Sequence, residues 1–497
     1  MNVFNHAGRI AAVFVLRDFL LPMQRNIIAS LLIAAPLFSA SVAAQGISPY
    51  LPLKMAPEVE AHIEKVLAIT PSAPLSKPYK ATDILTRLEL IKHSHPLLFS
   101  RVSAYLARYK TKIFVANLNS EIAASNDTTK SLPNQRGLSA ENQYQIAGSA
   151  YAFINPYLYA AVGAQYSDDK GLEHHSTHIG FGFEYAQVEV GFREHWFSPF
   201  QDSAMLVSTN AKTSPSITIS NATPITGWDF RYEIFYSELE RVEGIRLGEE
   251  IFPGKPRHAG LHISFSPIDN LTIGLNRTLQ FGGGKRSVDF GDFFEALFDP
   301  SGKDNIDGTD GTDPNFEFGN QQASITAKYN FNLGIPISVY AEYAGEDTVN
   351  RSNFSLGNNA VSLGVYLPML TDDIAVRYEF SDWTTAWYVH HLYQQGYTNE
   401  GNVLGHWGGD NRTFNDDTPA QAHSFNVNWN LAPNQILDVT LRATRNQDNT
   451  VTNYQTAYEI QAEYSYATSQ GFWGVGVYAG RDVFGDNFSR VSGFYRW

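Results

Sequence analysis

Apolar and polar residues alternate with a period of two from about residue 112 to the end of the chain. Residues 144–153, 157–166 and 177–185 each alternate over about ten residues, and short breaks of Asn, Pro, Asp or Gly separate them. A strand of about ten residues reaches roughly 33 Å, which at about 45° tilt crosses roughly one bilayer core. A generous count gives about sixteen to twenty strands. The pattern therefore predicts an all-β transmembrane antiparallel β-barrel over residues 112–497.

The strands of a soluble β-sandwich also alternate, so the period alone does not distinguish the two folds, and the end of the chain is the better evidence. In one segment, Ser338 and Glu342 lie on the face opposite Val339 and Tyr343, so polar groups would face a lumen and apolar groups would face lipid. The chain also ends on alternating residues with a terminal aromatic, Trp497. This ending resembles the signal by which the barrel assembly machinery recognises outer-membrane barrels. It implies a Gram-negative outer membrane, where the wall would contact phospholipid and lipopolysaccharide.

Residues 45–111 have a helical period instead of an alternating one. A first helix is predicted to begin at residues 56–58, where proline precedes a run with apolar residues on one face. A second helix is predicted with Thr82 or Asp83 as its N-cap, and a third after residues 95–96. We therefore expect a small α-helical domain before the barrel, which lies in the periplasm if the barrel has its usual orientation.

Residues 23–44 have the features of a secretory signal peptide. Arg25 supplies the positive charge, residues 27–38 are apolar, and residues 42–44 are small enough for cleavage. The segment is short for a membrane-spanning helix. We expect export through this signal, with residues 1–22 explained by a start codon assigned too early.

The composition excludes several kinds of site and partner. The chain has no cysteine, which excludes disulfides, thiolate metal sites and cysteine nucleophiles. The formal net charge of −14 argues against nucleic acid as a partner, because phosphate binding requires clustered Lys and Arg. The 26 Tyr, 32 Phe and 17% charged residues suit strands that face lipid on one side.

A long acidic loop follows residue 282. Carboxylates with interspersed glycines could wrap Ca²⁺, for which the candidate ligands are Asp304, Asp307, Asp310 and Asp313. The EF-hand spacing is absent, and a solvated acidic loop without metal is the favoured interpretation. No other cofactor is expected. Just before these residues, positions 292–298 are predicted to form a short helix packed inside the barrel.

A second long loop, about residues 394–421, carries more specific motifs. It follows the pattern Tyr-x-x-Gly-Tyr from residue 393, with Gly-x-x-x-Gly-His a few positions later. Residues 277–283 read Arg-Thr-Leu-Gln-Phe-Gly-Gly. These motifs, together with the helical domain before the barrel, resemble the Wzi family of capsule assembly proteins. The resemblance implies structural roles for the motif residues Arg277, Gly282, Gly283, Gly396, Gly401 and Gly405.

The resemblance implies an eighteen-stranded outer-membrane barrel with a periplasmic helical bundle and a lumen blocked by inward loops. Its outer face would bind capsular polysaccharide or exopolysaccharide and tether it to the cell. Sugar binding pairs aromatic rings with polar groups for the hydroxyls. The second loop supplies both, and its candidate contacts are Tyr397, His406, Trp407, Asp410, Asn411 and Arg412. Trp383 and Trp387, which precede them, are predicted to be aromatics of the membrane interface.

Two other classes of function compete with this one. A diffusion porin for oligosaccharides or small solutes would have the same strands but an open lumen. A hydrolase would need a catalytic constellation, and the sequence has neither a Gly-x-Ser-x-Gly elbow nor a persuasive triad. The histidines at 174, 175 and 178 lack an identifiable carboxylate partner for a metal. The sequence therefore predicts a binding protein without enzymatic activity.

Overall fold

The computed structural model describes residues 46–126, 129–288, 290–298, 318–346, 356–447 and 453–497. The predicted signal peptide at residues 23–44 lies outside these ranges. So do the candidate calcium ligands Asp304, Asp307, Asp310 and Asp313, and both interpretations of the acidic loop stay predictions.

Eighteen antiparallel strands, counted over these ranges, close into one barrel. The fourth is interrupted, and both of its parts pair with the third. In chain order the strands are β1 Ile113–Ser125, β2 Tyr144–Asn155, β3 Leu158–Ser167, β4 Gly171–His174 with His178–Phe183, β5 Ala186–Phe192, β6 Pro215–Ser220, β7 Arg231–Glu238, β8 Arg257–Ile268, β9 Leu271–Phe281, β10 Gly319–Asn332, β11 Pro336–Glu346, β12 Asn359–Leu367, β13 Ile374–Trp383, β14 Ala420–Ala432, β15 Gln435–Asn446, β16 Ala457–Thr468, β17 Gly471–Arg481 and β18 Asn487–Arg496. The predicted fold class is confirmed.

The first and last strands close the barrel. Strand β1 pairs with β18 from Asn119↔Arg496 to Ser125↔Arg490, and the Trp497 N–H donates to the Leu118 carbonyl at 2.8 Å. Strand β1 therefore starts, and β18 finishes, at the same end of the barrel, which we call the terminal end. The opposite end, where the longer connections lie, is the loop end.

Alternation along each strand separates an apolar outer face from a polar inner one. In β11, Glu342 is 1% exposed and points inward, whereas Tyr343 is 42% exposed and points outward. An apolar exterior on a closed barrel suits lipid, because every strand edge is paired. Among the helices in the described ranges, none has the length and apolar character needed to cross a membrane.

Three helices precede the barrel and fill its terminal end. They are α1 Pro57–Ile69, α2 Ala81–Ile91 and α3 Pro96–Leu106. Their apolar faces meet in one core that includes residues of the barrel wall such as Phe114 and Tyr159. The predicted caps of α2 are wrong, since Lys80 is the N-cap. Asp83 lies inside the first turn, where it pairs with Arg87 at 3.2 Å and with Arg231 of the wall at 3.1 Å.

Two connections fold from the loop end into the lumen. Residues 193–214 link β5 to β6, and within them Trp196–Phe197 pair with Ser76–Lys77 of the helical domain. Residues 384–419 link β13 to β14. The two connections pack together in a cluster that we call the plug core, which includes Met205, Leu206, Trp383, Trp387, Tyr388, Tyr397, Val403, Leu404 and Trp407. Chain entering from both ends therefore fills the lumen.

Two predictions about aromatic segments are wrong. Trp383 and Trp387 are buried in the plug core and do not lie at the membrane interface. Strand alternation turns Trp383 inward. The periodicity of the sequence alone does not show that a loop covers Trp383 there. The predicted helix near residue 292 exists as α4, Phe290–Phe298, but it packs against outward residues of the wall such as Leu279 and Phe281. It lies outside the barrel.

Candidate functional site

A cleft of about 630 Å³ opens at the loop end of the barrel. Four segments form it: the start of the β1–β2 connection, the β5–β6 connection at Asn210, the middle of the β13–β14 connection, and the tight β17–β18 hairpin at residues 482–486. Its lining includes Lys130, Asn210, Trp407, Asp410, Asn411 and Phe484. Both aromatic and polar groups therefore line one depression above the filled lumen.

One short turn carries three of the lining residues. Residues Trp407–Asp410 form a 3-10 helix, and the Nδ1 atom of His406 caps it by accepting the Gly408 N–H at 2.9 Å. Burial lowers the pKa of His406 to about 4, so its ring is neutral and can accept this hydrogen bond. The adjacent glycines let the turn approach the plug core closely. His406 therefore supports the cleft from below.

Asp410 ties the two inward connections together. Its carboxylate accepts hydrogen bonds from the Val403 N–H at 2.8 Å and the Asn402 amide at 3.0 Å. It also accepts one from the Asn210 amide at 2.7 Å, across 200 positions of sequence. Burial raises the pKa of Asp410, and these hydrogen bonds act in the opposite direction. The three bonds fix the height of the cleft floor.

Lys130 and Asn411 join the floor to the barrel wall. The Lys130 ammonium lies 2.8 Å from a Glu459 carboxylate oxygen on β16 and donates to the Asn411 side-chain oxygen. The Asn446 amide donates to the Asn411 carbonyl at 2.6 Å. Because these partners come from separate segments, the polar side of the cleft is held rigidly.

Two separate segments contribute aromatic groups to the cleft. Trp407 belongs to its lining although most of its surface is buried, and the Arg442 guanidinium lies 5.7 Å from the ring centroid. Phe484 projects from the β17–β18 hairpin and is 49% exposed. Sequence reasoning missed Phe484 and Lys130. The signal that could have identified Phe484 is an aromatic residue at the tip of a short hairpin between two aspartates, Asp482 and Asp486.

The structure separates the six candidate sugar contacts into two groups. Trp407, Asp410 and Asn411 come together in the cleft. Tyr397 is fully buried below it, where its hydroxyl lies 2.7 Å from the Nε2 atom of His258. Arg412 braces its own loop, donating to the Thr418 carbonyl at 3.3 Å and to the Trp387 carbonyl. Tyr397, His406 and Arg412 thus contribute to the plug and do not line the cleft.

Two glycines of the family motifs, Gly396 and Gly405, lie where backbone segments meet. Gly396 has a φ of +65°, and a Cβ there would lie 2.1 Å from the Tyr388 carbonyl oxygen. A Cβ on Gly405 would lie 2.2 Å from the Met205 carbonyl oxygen of the other inward connection. Gly401 lies in the turn between these two glycines. In the other motif, the Gly282 carbonyl accepts a hydrogen bond from the Tyr393 hydroxyl at 3.0 Å. The Gly283 backbone forms a bridge with Arg286 in the turn after β9.

The structure offers little support for metal chemistry in the part of the chain that it describes. No group of three or more His, Asp or Glu residues in those ranges is arranged to hold a metal ion. The three neighbouring histidines at 174, 175 and 178 fall around the interruption of β4.

Comparison with known proteins identifies the family. The profile of the family described as capsule assembly protein Wzi matches residues 112–480. This chain belongs to the Wzi family. An uncharacterized 55.8 kDa protein in the cps region of Klebsiella pneumoniae is 25% identical over 170 residues, which are 32% of this chain and 30% of that protein. The Wzi-family chain therefore aligns with about a third of that relative's length.

A solved structure extends the likeness to almost the whole fold. Wzi of Escherichia coli, described as an outer-membrane protein involved in group 1 capsule assembly and a carbohydrate-binding β-barrel, superposes with a TM-score of 0.65. The match covers 92% of this chain and 99% of that chain at 15% identity. At this identity the likeness concerns the fold. The family model and the shared fold together make this chain an eighteen-stranded β-barrel of the Wzi family.

Proposed function

We propose that this protein binds exported capsular polysaccharide or exopolysaccharide in the loop-end cleft and holds it at the cell surface. The observation that carries the proposal is the cleft itself, which combines exposed Phe484, Trp407 and fixed amide and carboxylate groups above a filled lumen. The loop end would face the cell exterior, and the terminal end with its helical domain would face the periplasm.

The lining suits a carbohydrate ligand. Sugar rings have apolar C–H faces and hydroxyls at their edges, and they are recognised by aromatic rings combined with hydrogen-bonding side chains. Phe484 offers a ring face, while Asn210, Asp410 and Asn411 offer donors and acceptors. The polar groups are held by partners from other segments, so little conformational entropy is lost on binding.

The filled lumen argues against the diffusion porin. A porin requires a continuous aqueous path, whereas here α1–α3 occupy the terminal end and the plug core occupies the loop end. The pairing of Trp196–Phe197 with Ser76–Lys77 joins the two fillings. The absence of catalysis remains a prediction, which membership of a capsule assembly family supports.

The test is the distribution of polysaccharide in cells that lack this gene. We expect unchanged total polymer, with a larger share in the medium than on washed cells. Complementation with the Phe484→Ala variant should restore anchoring only in part. The matched control is Phe414→Ala, because Phe414 is also an exposed loop aromatic (57% exposed) but does not line the cleft.

An unchanged distribution in the deletion strain would contradict the anchoring function for the polymer tested. Restoration by Phe484→Ala as complete as by the control would locate the contact elsewhere. Single-channel recording of the purified barrel then distinguishes the porin alternative, which predicts a steady conductance of porin size.

A further inference from the structure

Helix α4 lies against a part of the barrel wall that should face lipid. The direction of the wall residues follows from β9, where the Gln280 side chain points into the lumen and donates to the Gly396 carbonyl at 3.0 Å. Arg277, Leu279 and Phe281 alternate with it and therefore point outward.

These outward residues are buried, unlike their neighbours on the same face. Leu279 is 0% exposed and Phe281 is 2% exposed, whereas Leu275 of the same strand is 43% exposed. Helix α4 covers them. The ring of Phe293 lies 5.5 Å from that of Phe281, and Ala296 and Leu297 complete the contact.

Arg277 attaches the last turn of this helix to the wall. Its Nη2 atom donates to the Ala296 carbonyl at 2.8 Å and to the Gln321 side-chain oxygen. Carbonyls in the last turn of a helix lack intrahelical partners, and a cation there also favours the helix dipole. An arginine on a lipid-facing wall is costly unless it is paired in this way. The contact therefore serves both groups.

We propose that α4 is an interfacial helix that lies on the outside of the barrel and contacts the acyl chains of the outer-leaflet lipid. One face of the helix covers the wall, and Phe294 on another face is 42% exposed. The wall beside it continues as lipid-facing surface through Leu275 and Ile325, which are similarly exposed. A short helix with an apolar surface, next to such a wall, fits the membrane interface. The inference rests on the proposed orientation of the barrel for the identity of the leaflet.

The chain has no cysteine, so a single introduced cysteine can carry a spin label. We would label Phe294→Cys, with Leu275→Cys as the lipid-facing reference and Phe414→Cys as the aqueous reference, in liposomes of phosphatidylethanolamine and lipopolysaccharide. Power saturation with oxygen and with a water-soluble nickel chelate then reports contact with lipid. We expect the oxygen-to-nickel accessibility ratio at 294 to rise well above that at 414 and to approach that at 275.

A ratio at 294 equal to that at 414 would overturn the proposal, and so would a label closed to both reagents, which would indicate protein contact. The measurement does not involve polysaccharide, so its failure is separate from failure of the proposed function. In addition, Arg277→Gln should increase the mobility of the label at 294. The control is Arg445→Gln. Arg445 is an exposed, outward-pointing arginine at the loop end of β15. Equal mobility in both variants would overturn the role of Arg277.

Discussion

The Lys212 ammonium lies 2.6 Å from a Glu400 carboxylate oxygen and so links the two inward connections at the loop end. It also lies 2.9 Å from a Glu240 oxygen and 3.8 Å from a Glu173 oxygen. Burial acts to lower the pKa of Lys212, but the hydrogen bonds to Glu400 and Glu240 exceed this effect and raise it. One cation thus lies within 4 Å of carboxylates from three different segments.

We therefore expect Lys212→Met to loosen the plug. Removal of the cation leaves three carboxylates in mutual repulsion, which should cost about 1 kcal/mol at this partly exposed site. The expected result is brief conductance events in planar bilayers, where we expect the parent protein to be silent. The control is Lys92→Met, because Lys92 is exposed and its partners, Glu89 and the Phe99 ring, both belong to the helical domain. A silent Lys212→Met channel would show that the plug core holds the connections without this link.

Asp410→Ala should release the loop that forms the cleft floor. The substitution leaves the Val403 N–H and the Asn210 amide without their acceptor, and buried donors without partners cost about 1–3 kcal/mol each. We expect faster proteolysis within residues 384–419 and weaker polysaccharide binding. The control Asp486→Ala removes a carboxylate that the β17–β18 hairpin contributes to the same cleft, so it should alter binding only through the ligand.

The two readouts distinguish positioning from direct contact. If Asp410→Ala binds weakly but resists protease as well as the parent does, Asp410 acts through the ligand and not through the loop. If Asp486→Ala also increases proteolysis, the hairpin supports the floor as well, and the assignment of that role to Asp410 is wrong.

Gly405→Ala should disturb the plug through a single added methyl group. The new Cβ would lie 2.2 Å from the Met205 carbonyl oxygen, so one inward connection must move away from the other. Gly493→Ala in β18 is the matched control, because a Cβ there meets nothing within 4 Å. We expect a lower unfolding temperature for Gly405→Ala, and one close to that of the parent for Gly493→Ala. Equal stability of the two variants would mean that the connections adjust without cost.

The sequence predicts the wall of this protein better than its interior. Alternation in a strand such as β11 is a local property, so Glu342 and Tyr343 could be assigned to opposite faces from the sequence. The inward course of the loops depends on contacts such as Asn210 with Asp410, which no local pattern records. Trp407, Asp410 and Asn411 reach one cleft, whereas Phe484 joins them from a distant hairpin. The direction in which α4 packs is likewise set by Arg277 on another segment.

Glu60 on α1 should make the stability of the protein depend on pH. Burial raises its pKa to about 7, from 4.5 for the ordinary group, and the charge on Lys77 acts in the opposite direction. The unfolded chain therefore loses its proton at lower pH than the folded one. The free energy of unfolding should therefore fall by up to about 3 kcal/mol as the pH rises from about 4.5 to about 7, and it should then remain level.

Glu60→Gln should remove this part of the pH dependence, because the amide stays neutral in both states. We expect the variant to unfold at a higher temperature than the parent at pH 8, and at nearly the same temperature at pH 4.5. Glu89→Gln is the control, since Glu89 is an exposed glutamate on α2 whose side chain is 66% accessible. If Glu60→Gln and the parent have parallel unfolding profiles from pH 4.5 to 8, Glu60 is ionised in the folded protein, and Lys77 outweighs the effect of burial.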